Sequence, residues 1–168
     1  MCNHHRVVTE PERSLSQRTP DDDPDVWQAI GRVHVCIGRE LDRRLEARHG
    51  LSLSALEALT QLEAAGGRMR MGDLAEATGL SRSGLTRLAD RLEQSELLAR
   101  DRCCDDARGA YAILTEGGRL RVTEARVTYD AGLAELLLAH LQDQERETIV
   151  TALRRILRDG LHKSGCSG

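Results

Sequence analysis

Aromatic residues are almost missing from this chain of 168 residues: it has no Phe, one Trp (Trp27) and two Tyr (Tyr111 and Tyr129). Any core must then be built from Leu, Val, Ile and Ala, which suits packed helices better than a sandwich of aromatic-rich strands. No apolar run reaches transmembrane length, and no signal peptide is recognisable. The five cysteines (Cys2, Cys36, Cys103, Cys104 and Cys166) are an odd number without framework spacing, so a reducing cytoplasm is expected. Cys2, His4 and His5 cluster near the start, but no second ligand pair follows at zinc spacing, and no metal or other cofactor is expected. No nucleophile–base pair or phosphate loop can be assembled, so the chain does not read as an enzyme.

Surplus positive charge is lacking as well. The formal net charge is −3, which at first argues against a nucleic-acid binder. Its distribution weakens the objection. Residues 1–25 hold six acids against three arginines, so the rest of the chain carries 21 groups of each sign. A neutral body can still bind DNA if its arginines gather on one face. Lys163 is the only lysine, and Arg is the side chain that forks onto phosphates and guanine edges.

What is present is helical periodicity. Residues 1–23 are polar, aperiodic and acidic, and read as a flexible tail. Val26, Ile30, Val33, Ile37, Leu41 and Leu45 then form one stripe on a helix within 24–50. Ser52 is a candidate N-cap for a second helix with Ala55, Leu56, Leu59 and Leu62 on its apolar face, stopped by Gly66 and Gly67. After a link from Arg68 to Met71 come two short helices near 72–78 and 81–94. Strands at 97–102 and 110–114 flank a polar loop, Cys103 to Gly109. Thr115 caps a long helix to about His140, and a last helix carries Ile149, Leu153, Ile156, Leu157 and Leu161 on one face. The expected fold is mainly α with a small β-hairpin wing, in the order α-α-α-α-β-β-α-α. It divides into a tail (1–23), a dimerisation helix (24–50), a winged helix-turn-helix lobe (51–114) and C-terminal dimerisation helices (115–162). The terminal stripes are most easily buried against a second copy of the chain, which predicts a homodimer.

The segment from Asp73 to Leu88 carries the sharpest signal. Ala75 is small where two helices nearly touch, Gly79 suits a positive φ at the turn, and Leu80, Leu85 and Leu88 point inward. Ser81 can cap the second helix. That helix places Arg82, Ser83, Thr86 and Arg87 in its N-terminal half, suited to guanine edges and phosphates. Gly84 weakens a helix, so its use suggests a close approach of backbone to something. Arg100 and Arg102 lead into the wing loop and, with Ser81, count among the candidate DNA-binding residues. At its tip Asp106 can hold Arg108 in position for the narrow minor groove.

These residues resemble the MarR family of bacterial winged helix-turn-helix regulators. The resemblance runs through Leu74-Ala75, Ser81-Arg82-Ser83, Leu85-Thr86-Arg87-Leu88, Leu92-Glu93, Asp106-x-Arg108 and Leu114-Thr115-Glu116-x-Gly118. It implies a dimer made by the first and last two helices, a pseudo-palindromic double-stranded DNA operator, and Arg108 in the minor groove. It also implies a repressor released when a small-molecule effector or oxidant reaches a crevice beside the DNA-binding lobe. Gly84 stands where the family usually has Ser or Thr. Cys103, Cys104 and Asp105 are unusual for the wing, and the acids there predict salt-sensitive affinity.

For sensing, Trp27, His34 and Glu57 are candidate crevice residues. Cys36 sits among apolar neighbours and is expected to be a buried, inert thiol. Cys103 and Cys104, beside Arg100 and Arg102, offer a redox-responsive alternative. A winged-helix module that binds protein instead of DNA is the reading from another class. The expected location is the cytoplasm, in association with the nucleoid, with no membrane partner.

Overall fold

The computed structural model describes residues 26–101 and 110–160. In chain order the elements are α1 (Val26–His49), α2 (Leu53–Ala64), β1 (Arg68–Arg70), α3 (Met71–Ala77), α4 (Arg82–Gln94), β2 (Leu98–Asp101), β3 (Tyr111–Leu114), α5 (Glu116–Leu136) and α6 (Asp143–Arg155). A 3-10 turn, Leu138–His140, precedes α6 and a π turn, Ile156–Gly160, follows it. The expected order of four helices, a hairpin and two helices is present, with one strand added.

The helix ends follow the local chemistry read from the sequence. The Ser52 hydroxyl accepts the Ala55 amide at 3.2 Å, and the Thr115 hydroxyl accepts the Gly118 amide at 2.9 Å. Gly66 and Gly67 leave α2 with φ of 79° and 92°, and the Gly67 amide donates back to the Leu62 carbonyl at 2.7 Å. Left-handed backbone of this kind is open to glycine without a Cβ penalty.

The added strand explains how the wing is held. β3 lies in the middle of an antiparallel sheet of order β1-β3-β2. Arg68 pairs with Ile113 and Arg70 with Tyr111 on one side, while Leu98 pairs with Leu114 and Arg100 with Ala112 on the other. The Arg-Met-Arg of β1 has no strand pattern of its own; the ladder to β3 and the stack of Arg68 on Tyr111, 3.6 Å from guanidinium carbon to ring centre, hold it.

Val35 and Cys36 mark the boundary between two units of the chain. In the first, Val26, Trp27, Ile30, Val33 and Val35 are exposed, Trp27 to 82%. The second holds the core, which is built from leucine and alanine with one valine. Leu45, Leu59, Leu62, Leu74, Leu85, Leu98 and Val122 are fully buried, each contributing about 1.5–3 kcal/mol by transfer from water. Leu74 and Ala75 of α3 meet Leu85, Leu88 and Ala89 of α4 within this core, which fixes the helix-turn-helix. Gly132 lets α5 approach α1, because a Cβ there would lie 2.6 Å from Leu41 Cδ2. Arg44 seals that crossing: its Nη1 and Nη2 donate to the Glu135 carboxylate at 2.8 and 3.0 Å, and its Nε to Glu40 at 2.8 Å.

Two expectations need correction. Cys36 is exposed, not buried: the apolar neighbours around it on α1, Val33 and Val35, are themselves exposed. The long helix ends at Leu136, not near His140: Leu137 leaves helical geometry and the chain tightens into the 3-10 turn. α6 buries no residue of its own, and Ile149, Val150, Leu153, Ile156 and Leu157 are all exposed. No helix among the described residues is long and apolar enough to cross a membrane.

Candidate nucleic-acid interface

The turn between α3 and α4 is built as its sequence demands. Gly79 has φ of 65°, and the Leu80 amide donates to the Ala75 carbonyl at 3.0 Å, closing the end of α3. Leu80 is partly buried against the core, while Leu85 and Leu88 are buried outright. Ser81 caps α4, its hydroxyl accepting the Gly84 amide at 3.1 Å and lying 3.2 Å from the Ser83 hydroxyl. A Cβ on Gly84 would sit 3.1 Å from that same Ser81 oxygen, so the close approach suspected from the sequence is to the cap.

With Leu85, Leu88, Ala89 and Leu92 turned inward, α4 presents Arg82, Ser83, Thr86 and Arg87 to solvent. Ser81 is exposed at the same end. The Thr86 hydroxyl donates to the Arg82 carbonyl at 2.8 Å, which fixes its rotamer while leaving lone pairs free. Two arginines and two hydroxyls thus share the N-terminal half of one rigid helix, where the helix dipole adds to their positive potential.

Arg100 has a different setting. Leu98 and Arg100 point to the same face of β2, and that face is the core side. The Arg100 guanidinium reaches α4, where Nη2 donates to Asp90 Oδ1 at 2.5 Å and to the Thr86 carbonyl at 3.1 Å. Its Nε lies 3.8 Å from Glu93 Oε2. Arg102, Cys103, Cys104, Asp106 and Arg108 lie outside the described residues.

An open cleft of about 250 Å³ separates α2 from α5. Leu56, Glu57, Thr60 and Gln61 line it from α2, and Arg126, Tyr129 and Asp130 from α5. Arg126 spans it to Glu63 at 3.3 Å. Glu57, one of the candidate crevice residues, lines this cleft; Tyr129 and Asp130 were not singled out, although their spacing from Arg126 places them on one helix face. Trp27 and His34 are exposed on α1, in the other unit.

Comparison with known proteins agrees with this geometry. The MarR family model matches residues 49–109, which contain the whole helix-turn-helix. AbsC, a MarR family transcriptional regulator from Streptomyces coelicolor, is 30% identical with a TM-score of 0.71, over 79% of this chain and 89% of its own. The chain belongs to the MarR family. A second MarR family regulator from Streptomyces coelicolor, solved in complex with DNA, is 26% identical with a TM-score of 0.72, over 81% of this chain and 85% of its own. A third, from Silicibacter pomeroyi, is 30% identical with a TM-score of 0.68, over 79% and 90%. This MarR-family chain is therefore a winged-helix transcriptional regulator and not an enzyme.

Proposed function

We propose that this MarR-family regulator represses transcription by binding a pseudo-palindromic operator as a homodimer and is released by a small ligand. The observation that carries the reading is the exposed edge of α4, where Arg82, Ser83, Thr86 and Arg87 stand on a capped helix backed by leucine. The Ser81 end enters the major groove, the arginines take guanine edges or phosphates, and the hydroxyls take phosphates or base edges. Arg102 and Arg108 continue the contact into the wing, with Arg108 in the minor groove oriented by Asp106.

The homodimer follows from apolar surface left uncovered. The stripe at Val26, Trp27, Ile30 and Val33 and the stripe at Ile149, Leu153, Ile156 and Leu157 each find cover on a second copy. This keeps 24–50 and 115–162 as dimerisation segments and 51–114 as the DNA-binding lobe. The effector enters the cleft at Glu57, Arg126 and Tyr129. The protein works in the cytoplasm, on the nucleoid.

Fluorescence anisotropy against the DNA upstream of the protein's own coding sequence tests the reading. Salt-dependent binding that outcompetes random duplex is expected. Absence of any sequence preference would sink it and favour a protein-interaction module.

A further inference from the structure

Apolar packing decides which face of α4 is turned inward. Contacts among leucines are non-directional, so Leu85, Leu88 and Leu92 give the exposed polar groups of α4 no directional anchor of their own. Base reading needs such an anchor, because bidentate hydrogen bonds are directional. The Arg100 guanidinium supplies direction. It donates from one nitrogen to Asp90 and to the Thr86 carbonyl, gripping α4 at two points one turn apart. Its side chain is only 14% exposed, against 50% for Asp90, so the group held still is the arginine.

We propose that Arg100 is a positioning residue for DNA recognition: it locks the recognition helix to the wing strand through Asp90 and the Thr86 carbonyl, and it does not itself contact DNA. Three features support this. Arg100 shares the core-side face of β2 with Leu98, so the pleat turns it away from the solvent side of the wing. Its Nη2 is committed to two acceptors on α4, and Nε is buried beside Glu93. Asp90 Oδ1 and Glu93 Oε2, the carboxylates of α4, both lie within 3.8 Å of the Arg100 guanidinium, so the two acids of the helix face the same arginine. The proposal rests on α4 being the DNA-reading helix.

The decisive variant is Asp90→Ala. It removes a negative charge from the recognition helix and installs the best helix former, so simple charge attraction predicts tighter DNA binding. Positioning predicts the opposite sign: operator affinity falls by roughly two- to fivefold, the span an exposed ion pair can carry. The slope of log affinity against log salt stays unchanged in Asp90→Ala and in Arg100→Ala, whereas loss of a phosphate contact flattens it by about 0.9. Arg100→Lys recovers part of the affinity, and Asp90→Ala adds nothing in an Arg100→Ala background. Tighter or equal binding by Asp90→Ala overturns the proposal, as does a flattened slope in Arg100→Ala. Should Arg100→Ala not fold, Asp90→Ala still decides. A wild-type protein with no operator preference overturns the DNA reading itself, which separates the two failures.

Discussion

The Thr115 hydroxyl joins the end of α4 to the start of α5: it donates to the Glu96 carbonyl at 2.7 Å and accepts the Gly118 amide at 2.9 Å. Glu96 itself holds φ of 58°, a left-handed conformation that a side chain resists. The same turn lets the Leu97 amide return to the Leu92 carbonyl at 2.9 Å.

Replacing Glu96 by Gly should therefore stabilise the protein. Relief of the left-handed strain outweighs the added entropy of the unfolded chain, and a net gain of about 1 kcal/mol is expected. Urea denaturation measures it; a loss of stability would mean that the Glu96 side chain is doing something other than tolerating the turn.

Adjacent glycines at the start of α5 should respond oppositely. A Cβ on Gly118 would overlap the Leu97 carbonyl oxygen, a backbone atom that cannot swing aside. Gly118→Ala should cost roughly 1–3 kcal/mol. The Cβ of Gly117→Ala would lie 3.5 Å from the Glu96 carbonyl, an ordinary contact, so that variant should be neutral or gain roughly 0.4–1 kcal/mol. Equal effects at the two sites would refute the packing argument.

Acid should weaken the α1–α5 crossing within a definite window. Hydrogen bonds from Arg43, then Arg44, lower the Glu40 carboxyl from 4.5 to about 2. Arg44 likewise lowers Glu135. A carboxyl with a depressed folded-state pKa contributes stability above its unfolded value and loses it as pH falls. The Tm gap between wild type and Glu40→Gln should be constant above about pH 5 and close as pH approaches 2. A gap that persists into strong acid would show that the carboxylate charge is not what matters.

The wing arginine gives a prediction that rests on sequence alone. Arg108→Ala should weaken operator binding by roughly 1–3 kcal/mol, and more where the flanks are A·T-rich and the minor groove is narrow. Unchanged affinity in an anisotropy titration would take the wing tip out of the groove.

How much of this was legible depended on whether the signal was local. The caps at Ser52, Ser81 and Thr115 and the turn at Gly79 are decided by neighbours within a few residues, and each was readable. The leucine stripe of α4 was readable for the same reason. β1 was not, since Arg-Met-Arg becomes a strand only when β3, more than 40 residues later, offers its edge. The end of α5 was missed because Leu136, Leu137 and Leu138 continue the apolar run without a glycine or proline to mark where Leu137 leaves helical geometry. Cys36 was misjudged because apolar neighbours in sequence do not guarantee a covering partner. The neighbourhood of Arg100 was half visible. Its two-residue spacing from Leu98 puts both on one face of a strand, but only the fold shows that this face meets Asp90.

The capped start of α5 sits at the base of the wing, and Tyr129, which lines the α2–α5 cleft, stands 14 residues further along the same helix. At 1.5 Å per residue that separation is about 21 Å of unbroken rod. A tilt of about 5° forced at the cleft would swing the Thr115 end by about 2 Å, as a lever does, and through Glu96 the recognition helix would feel it. Two ångströms is more than half the length of a hydrogen bond to a base edge.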